Sequence, residues 1–96
     1  MAVENGIDDI IHLYAQILYN GEGIKPNKKE AAKYFKIAAD KGDADCAYYY
    51  ALMNYKGIEI PINKKEAAIY FKKGADNDNK DAMFYYGLML DNGVEI

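Results

Sequence analysis

Residues 27–36 read NKKEAAKYFK, and residues 63–72 repeat this stretch as NKKEAAIYFK. The two copies are 36 residues apart, and the same offset relates other positions along the chain. Those positions are Tyr14, Tyr50 and Tyr86, Gly21, Gly57 and Gly93, and Ile24, Ile60 and Ile96. A fixed period of this length is typical of solenoid proteins, in which each unit buries its apolar face by stacking on its neighbours.

Each copy of this stretch begins an amphipathic helix, which we call the second helix of its repeat. Asn27 and Asn63 stand at N-cap positions, where an Asn side chain accepts a hydrogen bond from a free amide of the first turn. Glu30 and Glu66 follow three residues later, the spacing at which a Glu side chain can reach back to the cap amide. Apolar residues then follow at helical i, i+3, i+4, i+7 spacing. In the first copy they are Ala31, Tyr34, Phe35 and Ala38.

A first helix precedes each second helix and ends at a repeated glycine. The pattern predicts first helices at about 7–20, 43–56 and 79–92. The glycine that follows each of them, at 21, 57 and 93, is typical of a helix end with a left-handed backbone. A small residue follows the repeated tyrosine at 15, 51 and 87, where it would let a neighbouring backbone approach closely.

The repeats form a single domain. Their predicted bounds are 6–41, 42–77 and a partial third repeat at 78–96. Together they predict an all-α, right-handed α-solenoid of antiparallel helix pairs with about five main helices.

Both ends of the chain suggest a piece of a longer array. Residues 2–6 align with 38–42, so we expect them to form the last turn of a preceding second helix. At the other end, the face of the last first helix should be left uncovered. A second copy of the chain could bind this face, which holds Tyr86, Met89 and Leu90.

The composition excludes several classes of function. The net charge is −3 and every basic residue is Lys, so the chain has neither a basic field nor the Arg side chains favoured for nucleic-acid recognition. It contains no Ser or Thr, which excludes a hydroxyl nucleophile of either type. The single cysteine, Cys46, cannot form an internal disulfide. With no signal-peptide pattern and no long apolar run, the sequence favours a cytoplasmic protein without a membrane partner.

The repeated positions resemble the Sel1-like repeat, a relative of the tetratricopeptide repeat. The resemblance rests on Gly21, Gly23, Ile24, Asn27, Ala31, Tyr34, Phe35, Ala38, Ala39 and Gly42, with a second copy at 44–78 and a partial third. One departure is Glu59, which stands where the first copy has Gly23. If that position needs a positive φ, Glu59 should be strained. The resemblance implies a scaffold or adaptor whose first helices line a concave groove that holds another protein.

In such a groove, the partner-binding positions would recur as rungs along the first helices. They are Asp9, His12, Gln16, Tyr19, Asp45, Tyr48, Leu52, Tyr55, Lys56, Asp81, Phe84 and Leu88. Tyr48, Tyr55 and Phe84 would act as rigid anchors, and the aspartates could attract a basic peptide. The alternatives are that the aromatic residues fill the core and that the aspartates stabilise helix N-termini.

No residue pattern indicates catalysis, a metal site or a cofactor. His12 is the only histidine, and no second histidine or cysteine pair stands near it in sequence. Cys46 aligns with Ala82, so we expect a buried small residue. The favoured function is therefore a protein–protein interaction module that binds a peptide or a helix. The alternative is a structural spacer or self-associating fragment, and a small-ligand binder or enzyme ranks last.

Overall fold

The computed structural model describes the backbone of residues 2–93 and the side chains of residues 10–93. It contains five helices: α1 (Ala2–Asn20), α2 (Lys28–Asp40), α3 (Ala44–Lys56), α4 (Lys64–Asp76) and α5 (Lys80–Asp91). No strand occurs in this part of the chain. The all-α, five-helix prediction is confirmed. Within the same residues, no helix combines the length and apolar character needed to cross a membrane.

The caps of the second helices, α2 and α4, form as predicted. The side chain of Asn27 accepts a hydrogen bond from the amide of Glu30, and Asn63 accepts one from Glu66, both at 3.0 Å. The backbone amides of Asn27 and Asn63 do not donate to the glutamate side chains as expected, because both donate to backbone carbonyls of the preceding helix. The amide of Asn63 instead donates to the carbonyl of Asn54 at 2.9 Å. Glu66 is thereby left to accept the hydroxyl of Tyr50, also at 2.9 Å.

The first helices α3 and α5 begin at side-chain caps as well. Asp43 accepts the amide of Cys46 at 2.9 Å, and Asn79 accepts the amide of Ala82 at 2.8 Å. These caps explain why the chain can reverse within a few residues after α2 and α4, because each new helix has a partner for its free amides.

The start of α1 differs from the prediction. Residues 2–6 do not end a preceding helix, because α1 runs without a break from Ala2 to Asn20. The sequence supplies the reason. The residue aligned with the capping Asp43 and Asn79 is Ile7, and isoleucine has no side-chain oxygen that could cap a new helix.

Left-handed backbone positions terminate the first helices. Gly21, Gly57 and Gly93 have φ values of 74°, 72° and 72°, so the predicted helix-ending glycines are confirmed. Glu59 also has a positive φ, of 59°, at the position where the first repeat has Gly23. The backbone of Glu59 is therefore in the left-handed region, where a residue with a Cβ atom is destabilised by about 1–2 kcal/mol relative to glycine.

We expect the substitution Glu59→Gly to raise the free energy of unfolding by about 0.5 kcal/mol. It relieves the left-handed penalty, and part of the gain is offset by the greater chain entropy of glycine in the unfolded state. Urea denaturation followed by circular dichroism measures the change. Glu59→Ala is the matched control, because alanine removes the carboxylate but keeps a Cβ. An equal gain from both variants would assign the effect to the side chain rather than to φ.

The helices pack in sequence order into two layers, with α1, α3 and α5 in one and α2 and α4 in the other. Each helix packs on the next, and α2 also touches α4 as α3 touches α5. The Cα trace measures 39 × 32 × 16 Å, and the shortest dimension fits two helices packed about 8–10 Å apart. The largest fully buried side chains are Phe35, Phe71, Met53, Met89 and Cys46. They form the core between the layers.

Small residues allow close approach where the layers meet. A Cβ added at Gly74 would lie 2.8 Å from the Cβ of Ala82 and 3.2 Å from the carbonyl oxygen of Ala44, so α4 lies close to both α3 and α5 at this point. Ala15 and Ala51 are also fully buried, as expected. Gly87, the third member of that series, has open space beside it among the described residues.

Candidate functional site

An aromatic cluster lies on the first-helix layer and continues into the core. Its members are Tyr48, Tyr55, Phe71, Phe84 and Tyr85. Phe71 of α4 is fully buried and stacks on Tyr85 of α5, with ring centroids 5.0 Å apart and planes inclined by 7°. Tyr48 and Tyr55 of α3 approach the same Tyr85 ring at 6.1 and 5.7 Å.

Phe84 is the exposed member of this cluster. Its side chain is 65% exposed, and its ring meets that of Tyr85 edge-on at 5.5 Å. Tyr48 and Tyr55 are only partly exposed, since their rings pack on the cluster. The three predicted anchors therefore differ in exposure. Phe84 is exposed, whereas Tyr48 and Tyr55 are partly buried against the core. Sequence reasoning missed Tyr85, which aligns with Tyr49 and links all the other rings of the cluster.

Acidic and amide side chains line the edge where the first helices begin. Asp45 and Asp81 are exposed and lie in the first turns of α3 and α5. Asn79 donates a hydrogen bond to Asp45 at 2.9 Å and so joins the two helix starts. Both aspartates are in the position that stabilises a helix dipole. Asp9 is the remaining predicted member, and its side chain lies outside the described residues.

Lysines line the opposite edge, where the first helices end. The Nζ atom of Lys28 lies 4.8 Å from the ring centroid of Tyr19, and that of Lys64 lies 5.5 Å from the ring of Tyr55. The two pairs are related by the 36-residue period. Lys56 is exposed near the same edge. The first-helix surface thus has an acidic edge and a basic edge with aromatic rings between them.

The other predicted binding residues lie in more than one environment. Leu52 and Leu88 are partly buried, and Leu52 packs against the core. Gln16 and Tyr19 line a cavity of about 80 Å³ together with Asn20, Phe35 and Tyr49. This cavity is small compared with the 300–1,000 Å³ typical of ligand pockets.

His12 has partners that sequence reasoning did not foresee. Its Nδ1 donates a hydrogen bond of 2.7 Å to Oδ2 of Asp43, and the side-chain amide of Gln16 lies 3.2 Å from its Nε2. Asp43 also accepts hydrogen bonds from the Cys46 amide and thiol. Burial opposes ionisation of Asp43, but these bonds and the adjacent imidazole hold its pKa below the usual value. The expectation that Cys46 is a buried small residue is confirmed.

A larger cleft lies on another side of the molecule, between α2 and the connection from α3 to α4. It has a volume of about 400 Å³ and is lined by Ile60, Pro61, Ile62, Asn54 and three lysines of α2. Two of these lysines are already paired: Lys33 lies 3.3 Å from Glu30, and Lys36 lies 3.7 Å from Glu66. The basic rim of this cleft is therefore partly neutralised within the chain.

The outer faces of α1 and α5 carry exposed apolar side chains. Ile10 and Leu13 of α1 are 65% and 60% exposed, whereas Cys46, which aligns with Ile10, is fully buried. On α5, Met83 and Leu90 are 45% and 55% exposed. The expected uncovered face of α5 needs one correction, because Met89 points into the core and is fully buried. Leu90 and Met83 form that face instead.

Comparison with known proteins identifies the repeat. The family model for the Sel1 repeat matches residues 11–43, 44–79 and 80–96. The chain belongs to the Sel1 repeat family. Sel1 repeats generally mediate protein interactions and are typically non-catalytic. None of the curated proteins matches the chain.

A solved Sel1 repeat protein has the same fold. The crystal structure of a Sel1 repeat protein from Oxalobacter formigenes superposes with a TM-score of 0.84 at 24% sequence identity. The match covers 90% of this chain and 35% of that protein, so the chain spans about a third of the length of its structural relative. At this identity, the likeness supports the helical arrangement of the Sel1 repeats and carries no information about a specific ligand.

Proposed function

We propose that this chain is a protein-interaction module that binds a peptide segment of a partner across the first-helix surface. The exposed ring of Phe84 carries the proposal. Two-thirds of this aromatic side chain is open to solvent, and its ring makes an edge-on contact with the packed ring of Tyr85. Rigid aromatic side chains of this kind supply much of the binding energy in protein interfaces, because little entropy is lost when they are buried.

The two charged edges suggest how a peptide would be oriented. Asp45 and Asp81 lie at one edge of the surface, and Lys28 and Lys64 lie at the other. A partner with basic residues on one side of an apolar anchor and acidic residues on the other would match both edges. Exposed charges contribute chiefly to specificity and association rate, so binding should weaken as salt is raised.

We expect Phe84→Ala to weaken peptide binding by roughly 30-fold, corresponding to a hot-spot loss of about 2 kcal/mol. Peptides would first be selected from a random library on the immobilised wild-type chain. Their dissociation constants would then be measured by fluorescence anisotropy with each variant. Met83→Ala is the matched control, because Met83 is the neighbouring residue on α5, is also exposed, and lies on the outer face instead.

The same measurements test the alternative. Loss of binding in Met83→Ala, with Phe84→Ala unaffected, would contradict the proposal and place the interaction on the outer face of α5. Self-association is the second candidate function, and the exposed Leu13 and Leu90 favour it. Sedimentation of the wild type and of Met83→Ala would then show a concentration-dependent dimer that the substitution weakens.

A further inference from the structure

A cluster of three metal-binding types of side chain lies where α1 meets the start of α3. His12 belongs to α1, Asp43 caps α3, and Cys46 lies in the first turn of α3. Nδ1 of His12 is 2.7 Å from Oδ2 of Asp43, and the candidate ligand atoms of all three side chains lie within 4.8 Å of one another. We propose that His12, Asp43 and Cys46 bind a divalent transition-metal ion of the Zn²⁺ type.

The donor set selects the class of metal. Imidazole nitrogen, carboxylate oxygen and thiolate sulfur are the three protein donors of Zn²⁺ sites, whereas Mg²⁺ and Ca²⁺ prefer oxygen alone. Three protein ligands leave one tetrahedral position for water. The His12 and Asp43 side chains are 25% and 29% exposed, so an ion can enter from solvent while Cys46 forms the buried wall.

The distances require only small movements. Ligands held about 2.0–2.3 Å from a tetrahedral zinc ion are roughly 3.3–3.7 Å from one another. The His12 and Asp43 atoms would separate by less than about 1 Å, and Sγ of Cys46 would approach by up to about 1.5 Å. Side-chain rotation can supply both changes, so the helix backbones can keep their positions.

Neighbouring groups already orient the candidate ligands. The amide of Cys46 holds Oδ1 of Asp43 at 2.9 Å, which leaves Oδ2 directed toward His12. The side-chain amide of Gln16 lies 3.2 Å from Nε2 of His12. With metal on Nδ1, the imidazole proton would move to Nε2, and the Gln16 amide would turn to accept it. Metal-bound histidines commonly donate their second N–H in this way.

A bound ion would also balance charge. Burial is the main cause that raises the pKa of the Cys46 thiol, and the nearby charges of Asp43 and Asp45 raise it further. The protonated thiol is therefore favoured when no metal is bound. A divalent cation would favour the thiolate instead, because the cation replaces the thiol proton and offsets the negative charge of the carboxylate. One proton leaves Cys46 for solvent as the metal–sulfur bond forms. The ion with one thiolate, one carboxylate and a neutral imidazole is then electrically neutral.

The next repeat shows that helix capping alone does not require these residues. There, the positions of His12, Asp43 and Cys46 are taken by Tyr48, Asn79 and Ala82. Asn79 still accepts the amide of Ala82 at 2.8 Å, so the cap forms without a histidine or a cysteine. The start of a first helix therefore forms in the next repeat without a histidine or a cysteine, so capping does not explain why His12 and Cys46 are present in this one.

Co²⁺ is the probe for this site, because its thiolate complexes absorb light through sulfur-to-metal charge transfer. Titration of the untagged, reduced chain should saturate at one ion per chain and produce that band. Zn²⁺ should displace the cobalt and raise the melting temperature, because the ion binds only the folded chain. Binding in weak buffer should release one proton per ion.

Three variants decide the assignment. Cys46→Ala should abolish the charge-transfer band, and Asp43→Asn should weaken binding by at least about tenfold while keeping an amide cap like that of Asn79. Asp91→Asn makes the same charge change at the end of α5, away from the three candidate ligands, and should leave metal binding unaltered. Circular dichroism checks that each metal-free variant is folded, and Asp43→Asn carries the test if Cys46→Ala is not. Absence of saturable binding, or a complex that survives both ligand substitutions, would overturn the proposal.

Discussion

Phe71→Ala is expected to lower the free energy of unfolding by about 3–5 kcal/mol, the usual cost of removing a fully buried phenyl ring. Phe71 is 0% exposed and packs against Tyr85, Tyr55 and Tyr48 at 5.0, 6.0 and 6.2 Å. Its loss leaves a cavity between α3, α4 and α5. A domain of this size has a total stability of only about 5–15 kcal/mol, so a large unfolded fraction is expected on mild heating. Urea denaturation followed by circular dichroism measures the change.

Phe84→Ala is the matched control for this experiment. It removes the same ring from the same aromatic cluster, but Phe84 is 65% exposed. The substitution should lower the free energy of unfolding by only about 0.5–1.5 kcal/mol, the usual worth of an edge-on aromatic contact, because folding buries little of the apolar area of Phe84. Equal losses in the two variants would mean that Phe84 is packed as deeply as Phe71, and the exposed anchor of the proposed interaction would then be excluded.

The helical framework was predictable because its signals occur more than once. Asn27 and Asn63 mark the starts of α2 and α4, and glycines at the same offset end the first helices. A repeated cap at a fixed period is a stronger signal than a single one, because the same local chemistry must succeed in each copy. The start of α1 also had a readable signal, since Ile7 replaces the capping residue. The absence of a capping side chain at Ile7, and not the likeness of residues 2–6 to residues 38–42, agrees with the unbroken α1 helix.

The candidate site was less predictable because it depends on how rings turn once the helices pack. Helical spacing placed Tyr48 and Phe84 at equivalent positions, and both were predicted as binding anchors. The Tyr48 ring lies against Phe71 and Tyr85, since α4 and α5 follow it in the array. Phe84 has no such cover in the described part of the chain. Equivalent positions therefore have different surroundings, and their roles in binding remain predictions.

The cluster around His12 shows a second limit of sequence reasoning. His12 and Asp43 are 31 residues apart, and only the packing of α1 beside α3 brings them within 2.7 Å. The sequence shows that Asp43 can cap a helix and that Cys46 follows three residues later. It does not show which side chain of the previous first helix faces the cap. That information depends on the rotation of α1 about its axis, which a single repeat does not determine.

Alkaline pH should remove a further part of the stability of this fold. Burial is the main cause that raises the pKa of Tyr50, to about 12, and the hydrogen bond to the Glu66 carboxylate adds to the rise. Burial likewise raises the pKa of Tyr70, whose hydroxyl donates to Asp40 at 2.7 Å. In the unfolded chain both hydroxyls ionise near pH 10. Above that pH the unfolded chain releases protons that the folded chain retains, so unfolding becomes more favourable as pH rises.

The contribution of Tyr50 should be fully present below about pH 10 and lost as pH rises through about 12. The contribution of Tyr70 should likewise be lost only above about pH 10, because the pKa of its hydroxyl is also raised. We expect a total fall of roughly 2–4 kcal/mol, a value reduced to allow for the partial exposure of Tyr50. Urea denaturation at several pH values measures this fall.

Tyr70→Phe removes one of the two groups. It should be less stable than the wild type at pH 7 by about 1–2 kcal/mol, because a hydrogen bond to a carboxylate is lost. It should also lose less stability across the alkaline window, so the two curves should converge as pH rises. Parallel curves would show that Tyr70 does not contribute, and a wild-type stability that is flat over this window would contradict the carboxylate partners assigned to both hydroxyls.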